Sequence, residues 1–238
     1  MQKNNISNLN IIASTMPWNQ DLPSRLQSLT GAKFQMISSP EELTAERLWQ
    51  WGPKYIFFPH WSHIIPANVF ENFECVIFHM TDLPFGRGGS PLQNLIERGI
   101  YETQISALKC IAEVDEGPIY TKRPLSLYGA AEEIYLRASG VIETMITEIV
   151  ADNPKPVAQS GEPIYFKRRK PEQGNLLFAT TLEQAFDYIR MLDAHGYPHA
   201  YIDVGNYRLE FTRASRKSDS ITADVRITLK SKNPEVEQ

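Results

Sequence analysis

Four short apolar runs, at residues 9–14, 33–38, 55–58 and 75–79, are separated by stretches of 15 residues or more. Hairpins use much shorter connections, whereas gaps of this length suit parallel strands joined by crossovers. The intervening stretches 20–29 and 40–51 mix polar and apolar residues in the manner of covering helices. Ser39-Pro40-Glu41-Glu42 reads as a helix start, with a capping hydroxyl, proline at the first helical position and carboxylates in the first turn. The expected fold class is α/β, a parallel sheet flanked by helices.

Further along, the glycine-rich stretch 86–90 launches a helix over 91–98, and 103–112 returns as a strand. Ile134, Ala138, Val141, Ile142, Met145 and Ile149 recur at steps of three and four, which predicts a long amphipathic helix over 130–150 packed on the sheet. Asp152-Asn153-Pro154-Lys155-Pro156, followed by Gly161 and Pro163, cannot continue a helix. A domain boundary is therefore expected here, dividing 1–152 from 153–238. The second part reads as a small α+β appendage, with a helix over 182–192 and strands 200–203 and 207–212 flanking a Gly205-Asn206 turn.

Composition narrows the function classes. With 42% apolar and 22% charged residues the chain is globular rather than disordered. Its net charge of −4 offers no general positive field for a phosphate backbone, so nucleic acid is not an expected partner. The two cysteines, Cys75 and Cys110, lie in apolar stretches, which suits a reducing cytoplasm and is too few for an all-cysteine zinc site. The first ten residues lack the apolar block of a signal peptide. No run reaches the roughly 18 apolar residues of a membrane helix, so a cytoplasmic protein without membrane contact is expected.

Several residues invite chemistry. His60-Trp61-Ser62-His63 has no nearby cysteine or carboxylate, and helix breakers interrupt His195 and His199, so no metal site is expected. Gly86-Arg87-Gly88-Gly89-Ser90 lacks the lysine of a phosphate-binding loop. It is either a tight connection needing positive φ or a place where backbone closely approaches a ligand. His79 ends an apolar strand just before this stretch, where open α/β sheets bind ligands. Asp115 closes the apolar segment 107–114 and also marks a strand exit, although turn aspartates are common.

The run His79-Met80-Thr81-Asp82-Leu83-Pro84-Phe85-Gly86-Arg87-Gly88-Gly89-Ser90-Pro91-Leu92-Gln93 resembles the signature of the formyltetrahydrofolate-dependent formyltransferases. The segment from Glu102 through Val114-Asp115-Glu116-Gly117-Pro118-Ile119 is similar to the family's second block, which ends in a catalytic Asp-x-Gly. His79 and Asp115 stand 36 residues apart, in register with that family. The stretches 58–66 and 165–171 are most similar to sugar formyltransferases, including one of pseudaminic acid synthesis, and to the formylation domain of gramicidin synthetase. Methionyl-tRNA formyltransferase is a more distant resemblance: its bacterial forms carry a longer C-terminal domain than this chain is expected to hold.

The resemblance implies a Rossmann-like sheet and transfer of a formyl group from N10-formyltetrahydrofolate to the amine of an amino deoxysugar, expected to be nucleotide-linked. No metal or nicotinamide cofactor is implied. His79 would bind the formyl oxygen, and Asp115 would orient His79 and help remove the amine proton. The family's asparagine two residues before the histidine is replaced by Ile77, which cannot donate a hydrogen bond. His60, at the end of the preceding strand, is the candidate replacement donor. By family position, the pterin would lie between Ile64, Ile65 and Pro66 and the loop Cys110, Ile111, Ala112, Glu113 and Val114, with Leu83 and Arg87 lining the same cavity. Core packing is the competing explanation for Ile64, Ile65 and Val114.

Lys167, Arg168 and Arg169 could meet the diphosphate of a nucleotide sugar, although runs of basic residues often form solvated turns. The C-terminal hairpin is a candidate acceptor contact or homodimer surface. Two rival functions remain: a degenerate folate-binding or partner-binding module, and a formyltetrahydrofolate hydrolase.

Overall fold

The computed structural model describes residues 8–230. In chain order, its first half comprises β1 (Leu9–Ala13), α1 (Leu22–Thr30), β2 (Lys33–Ile37), α2 (Ala45–Trp51), β3 (Tyr55–Phe58), α3 (Ala67–Phe70), β4 (Cys75–His79), β5 (Phe85–Gly88), α4 (Pro91–Glu97) and β6 (Glu102–Lys109). The second comprises β7 (Ile119–Ser126), α5 (Ala131–Asp152), β8 (Ile164–Phe166), α6 (Leu182–Arg190), β9 (Ala200–Val204), β10 (Tyr207–Arg216) and β11 (Ile221–Leu229). These elements form two compact units. One takes the chain through Pro91, then Glu102–Ser126 and Leu136–Phe166; the other takes Leu92–Tyr101, Leu127–Tyr135 and the chain from Lys167.

The first unit is built on a six-stranded sheet of order β2-β1-β3-β4-β6-β7. The four apolar runs pair in parallel, as their spacing predicts. Ile11, Ile12, Ile56 and Phe57 have no exposed surface, which explains why these strands read as continuous apolar runs rather than alternating ones. Burying each such side chain contributes about 1.5–3 kcal/mol. The sheet is mixed rather than wholly parallel, because β6 runs antiparallel to β4, and β7 antiparallel to β6. On α5, Ile134, Ala138, Ile142, Met145 and Ile149 of the predicted stripe are buried, Ile146 joins them, and Val141 is only half-buried.

Two local expectations are corrected. Residues 40–51 do not form one helix: Pro40–Glu42 is a single 3₁₀ turn, and α2 starts after Thr44, whose hydroxyl accepts from the Arg47 amide. The Ser39 hydroxyl makes no cap, and Glu42 instead turns back to accept from the Ser38 amide at 2.9 Å. The glycine-rich connection is also partly a strand, since β5 pairs in parallel with β8, 76 residues beyond its end at Gly88 by the start at Ile164. No local pattern announces a pairing of such separation.

In the second unit, β9, β10 and β11 form an antiparallel sheet in which β10 is central. The expected hairpin is present around Gly205 and Asn206, while β11 was not anticipated. Within this unit Arg190 is only 3% exposed; its Nε donates to the Asp187 carboxylate and its Nη1 to the carbonyls of Leu127 and Gly129. Among the described residues, no helix is long and apolar enough to cross a membrane.

Candidate active site

His79 is the last residue of β4, at its carboxyl end, and is 8% exposed. The apolar strand gives the ring a fixed base: Val76 is fully buried, and His79 lies opposite Ser106 of β6. The Ser106 hydroxyl donates to the Thr81 carbonyl at 2.8 Å and accepts from the Leu83 amide at 3.3 Å, tying the turn after His79 to the sheet. The His79 Nε2 lies 2.7 Å from the Gly86 carbonyl oxygen. A carbonyl only accepts, so Nε2 carries the proton in this contact. On the other side of the ring, Nδ1 faces Asp115 Oδ2 at 3.5 Å.

Asp115 reaches this position from an unusual backbone. Its φ is 55°, in the left-handed region that side chains other than glycine seldom occupy. Its Oδ2 also accepts from the Gly88 amide at 2.9 Å. Histidine, carboxylate and a main-chain donor are thus gathered at one point, in an arrangement able to orient an imidazole and support proton movement.

The glycines resolve the choice left open by sequence. A Cβ on Gly88 would stand 2.4 Å from the Phe166 carbonyl oxygen, and one on Gly86 would meet Phe166 and Thr81 side chains at 2.7 Å. Both glycines have positive φ, 80° and 102° in chain order. The close approach is therefore to the protein's own β8, combined with a backbone conformation that favours glycine.

Arg87 lies between these glycines, and its guanidinium is engaged within the fold. Nε and Nη2 donate to Gln159 Oε1 at 3.2 and 2.9 Å, while Nη1 donates to Tyr165 Oη at 3.2 Å and pairs with Glu116 Oε1 at 3.0 Å. Gln159, Glu116 and Tyr165 were missed at the sequence level. Gln159 sits in an irregular stretch between prolines and carries no periodic signal.

His60 follows β3 as His79 ends β4: Phe58 pairs with Ile77, and each histidine lies two residues beyond that pair. His60 adopts a φ of 54° and meets Trp18 edge-on, with ring centroids 5.9 Å apart. Its Nε2 is buried, and burial pushes its pKa down to about 4, leaving a neutral imidazole near pH 7. Ile77 packs against the apolar cluster containing Ile56 and Phe58.

The residues expected around the pterin separate by environment. Ile64 is 92% exposed and Val114 is 68% exposed, so core packing does not account for either. Ile65 packs on the core, and Leu83 is fully buried. Pro66, Ala112 and Glu113 are exposed, and Ile111 is half-buried. Cys110, Ile111 and Ala112, with Lys109 and Phe70–Glu74, line a cavity of about 470 Å³. Burial raises the Cys110 thiol pKa to about 11, so it is not a thiolate nucleophile near neutral pH.

Of the basic run, Lys167 and Arg168 are exposed, whereas Arg169 is part of the second unit's framework. Arg169 pairs with Glu97 at 2.5 Å, donates to the Gln173 carbonyl at 2.9 Å and lies over the Tyr188 ring. Among the described residues, no group of three or more histidine, cysteine or acidic side chains is arranged to hold a metal.

The family model of the methionyl-tRNA formyltransferase C-terminal domain matches residues 171–228. Among curated relatives, methionyl-tRNA formyltransferase from Streptococcus pneumoniae (strain ATCC 700669 / Spain 23F-1) is 22% identical over 185 residues, covering 73% of this chain and 60% of that protein. The chain thus spans about 60% of the length of such relatives. A solved structure, methionyl-tRNA formyltransferase from Clostridium thermocellum, is 52% identical with a TM-score of 0.90, covering 93% of this chain and 99% of that one. A protein of matching extent therefore carries that name, so chain length does not set this acceptor aside. HypX from Aquifex aeolicus in complex with tetrahydrofolic acid shares the fold at 19% identity and TM-score 0.66, covering 86% of this chain and 37% of that one. A sugar N-formyltransferase from a Shewanella species does so at 15% identity and TM-score 0.64, covering 94% and 99%.

Proposed function

The chain belongs to the formyltransferase family, and from that premise we propose that it transfers a formyl group from N10-formyltetrahydrofolate to a primary amine of an amino sugar, nucleotide-linked. The observation that carries this reading is the gathering of His79, Asp115 and the Gly88 amide at the carboxyl end of β4. Exposed Ile64 and Val114 offer apolar surface for the flat pterin ring, with the chain around residues 110–114 supplying polar backbone groups.

The amine attacks in its unprotonated form, making a C–N bond as the formyl carbonyl becomes a tetrahedral oxyanion. His79 Nε2–H, which donates to the Gly86 carbonyl in the structure, exchanges that acceptor for the formyl oxygen. Asp115 fixes the ring from the Nδ1 side and helps remove the amine proton, directly or through water. Breaking the bond to N10 restores the formyl carbonyl, and N10 takes up a proton as it leaves. His60 supplies the donor that Ile77 cannot: a neutral imidazole retains one N–H.

A second acceptor, the amino group of methionyl-tRNA, is favoured by the name of the 52% identical structure. The net charge of −4 favours a small acceptor over a polynucleotide. Lys167 and Arg168 are the candidate diphosphate contacts by charge and exposure.

A thermal melt with 5-formyltetrahydrofolate tests the donor site before the acceptor is known. At 100 times its dissociation constant the ligand stabilises the fold by about 2.7 kcal/mol. An upward shift supports the folate reading, and its absence at saturation opposes it. Formate released without an amine would favour the hydrolase. A folate-dependent shift with no product from either acceptor class would favour the binding module.

A further inference from the structure

We infer that Gln159 is a positioning residue that clamps the main chain of Asp115 and thereby sets the carboxylate against His79. Its Nε2 donates both hydrogens, to the carbonyls of Asp115 at 2.8 Å and Gly117 at 2.9 Å. Its Oε1 accepts from Arg87 Nε and Nη2 at 3.2 and 2.9 Å. Turning the carboxamide over would set oxygen against two carbonyls and the amino group against a guanidinium, so the partners determine its orientation.

The contacts close a ring. Arg87 and Gly88 are successive residues of β5: the Arg87 side chain grips Gln159, Gln159 grips the Asp115 backbone, and the Asp115 carboxylate returns to the Gly88 amide. Beside the ring, Tyr165 Oη donates to Glu116 Oε1 at 2.8 Å, and that oxygen also receives Arg87. Asp115 has a φ of 55°, a conformation that persists only when its surroundings impose it. The Gln159 carboxamide is the element that holds its carbonyl, while Gly88 and His79 hold its side chain.

The consequence for turnover rests on the formyl-transfer reading; the clamp itself does not. Gln159→Glu separates the carboxamide's two functions, because it retains an acceptor for Arg87 but presents oxygen to both carbonyls. Gln159→Ala removes both functions and serves if the charged variant does not fold. Hydrogen exchange across residues 111–117 and steady-state kinetics are measured on variants whose melting matches the unsubstituted chain. The expected result is exchange about tenfold faster, with kcat lowered about tenfold or more and both KM values changed less than about threefold. The alanine variant gives the same pattern.

Unchanged exchange in both variants overturns the clamp. Faster exchange with kcat unchanged overturns its role in setting the carboxylate for turnover. If the unsubstituted chain formylates no amine, the functional reading fails by itself, and the exchange measurement still decides whether Gln159 holds the loop.

Discussion

His60 and His79 stand at the carboxyl ends of neighbouring parallel strands, each two residues beyond the pair of Phe58 and Ile77, yet they are equipped for different tasks. His79 lies between a carbonyl acceptor and a carboxylate, with a polar partner at each ring nitrogen. His60 packs against Trp18, and burial lowers its pKa to about 4. Position at a strand end is therefore not enough to assign chemistry. Burial keeps the His60 ring neutral, whereas the carbonyl and carboxylate beside His79 equip that ring to take part in proton transfer.

The largest way to break this comparison is at His79. His79→Ala should lower kcat by about 10³-fold with the fold intact, as expected for loss of a general acid or base. Product formation, measured alongside the melt, checks it, and near-normal turnover would equate the two histidines. His60→Ala should cost less, about 10²-fold in kcat, the effect of losing one oxyanion donor. Full activity would remove His60 from the reaction. Adding Ile77→Asn to His60→Ala should then recover about tenfold, because an amide donor returns to β4; no recovery would show that the two positions do not share a function.

The fourth prediction concerns pH and stability. The folded pKa of His60, about 4, lies below its ordinary 6.5, so the unfolded chain binds the proton first as pH falls. The contribution is complete above about pH 6.5 and is lost as pH falls through the folded value, amounting to roughly 3 kcal/mol. Denaturant unfolding at pH 7 and near pH 4 should show this loss, and His60→Phe should reduce it. An equal loss in both proteins would assign the slope to other groups.

Local or strongly periodic features of this fold are legible in the sequence. The buried β1, β3 and β4 runs and the stripe of α5 carry their own signatures, and His79 does end β4, whereas Asp115 stands not at a strand exit but in the loop six residues beyond β6. Features decided by distant segments are not legible in the sequence. The β5 and β8 pairing joins Gly88 to Phe166, and no pattern near either residue announces it. Gln159 is equally silent, because its importance lies in three partners remote in sequence. Residues 40–51 were misread for a different reason: two competing caps lie close together, and Thr44 rather than Ser39 makes the bond.

The most direct test of the central claim is mass analysis of amines incubated with the protein and N10-formyltetrahydrofolate, using amino sugar nucleotides and methionyl-tRNA in parallel. Transfer replaces one amine hydrogen by a formyl group, so the product gains the mass of one carbonyl. The account predicts that gain on an amino sugar nucleotide and its loss in Asp115→Asn. Unchanged masses for every amine, with the donor intact and the protein folded, would contradict it.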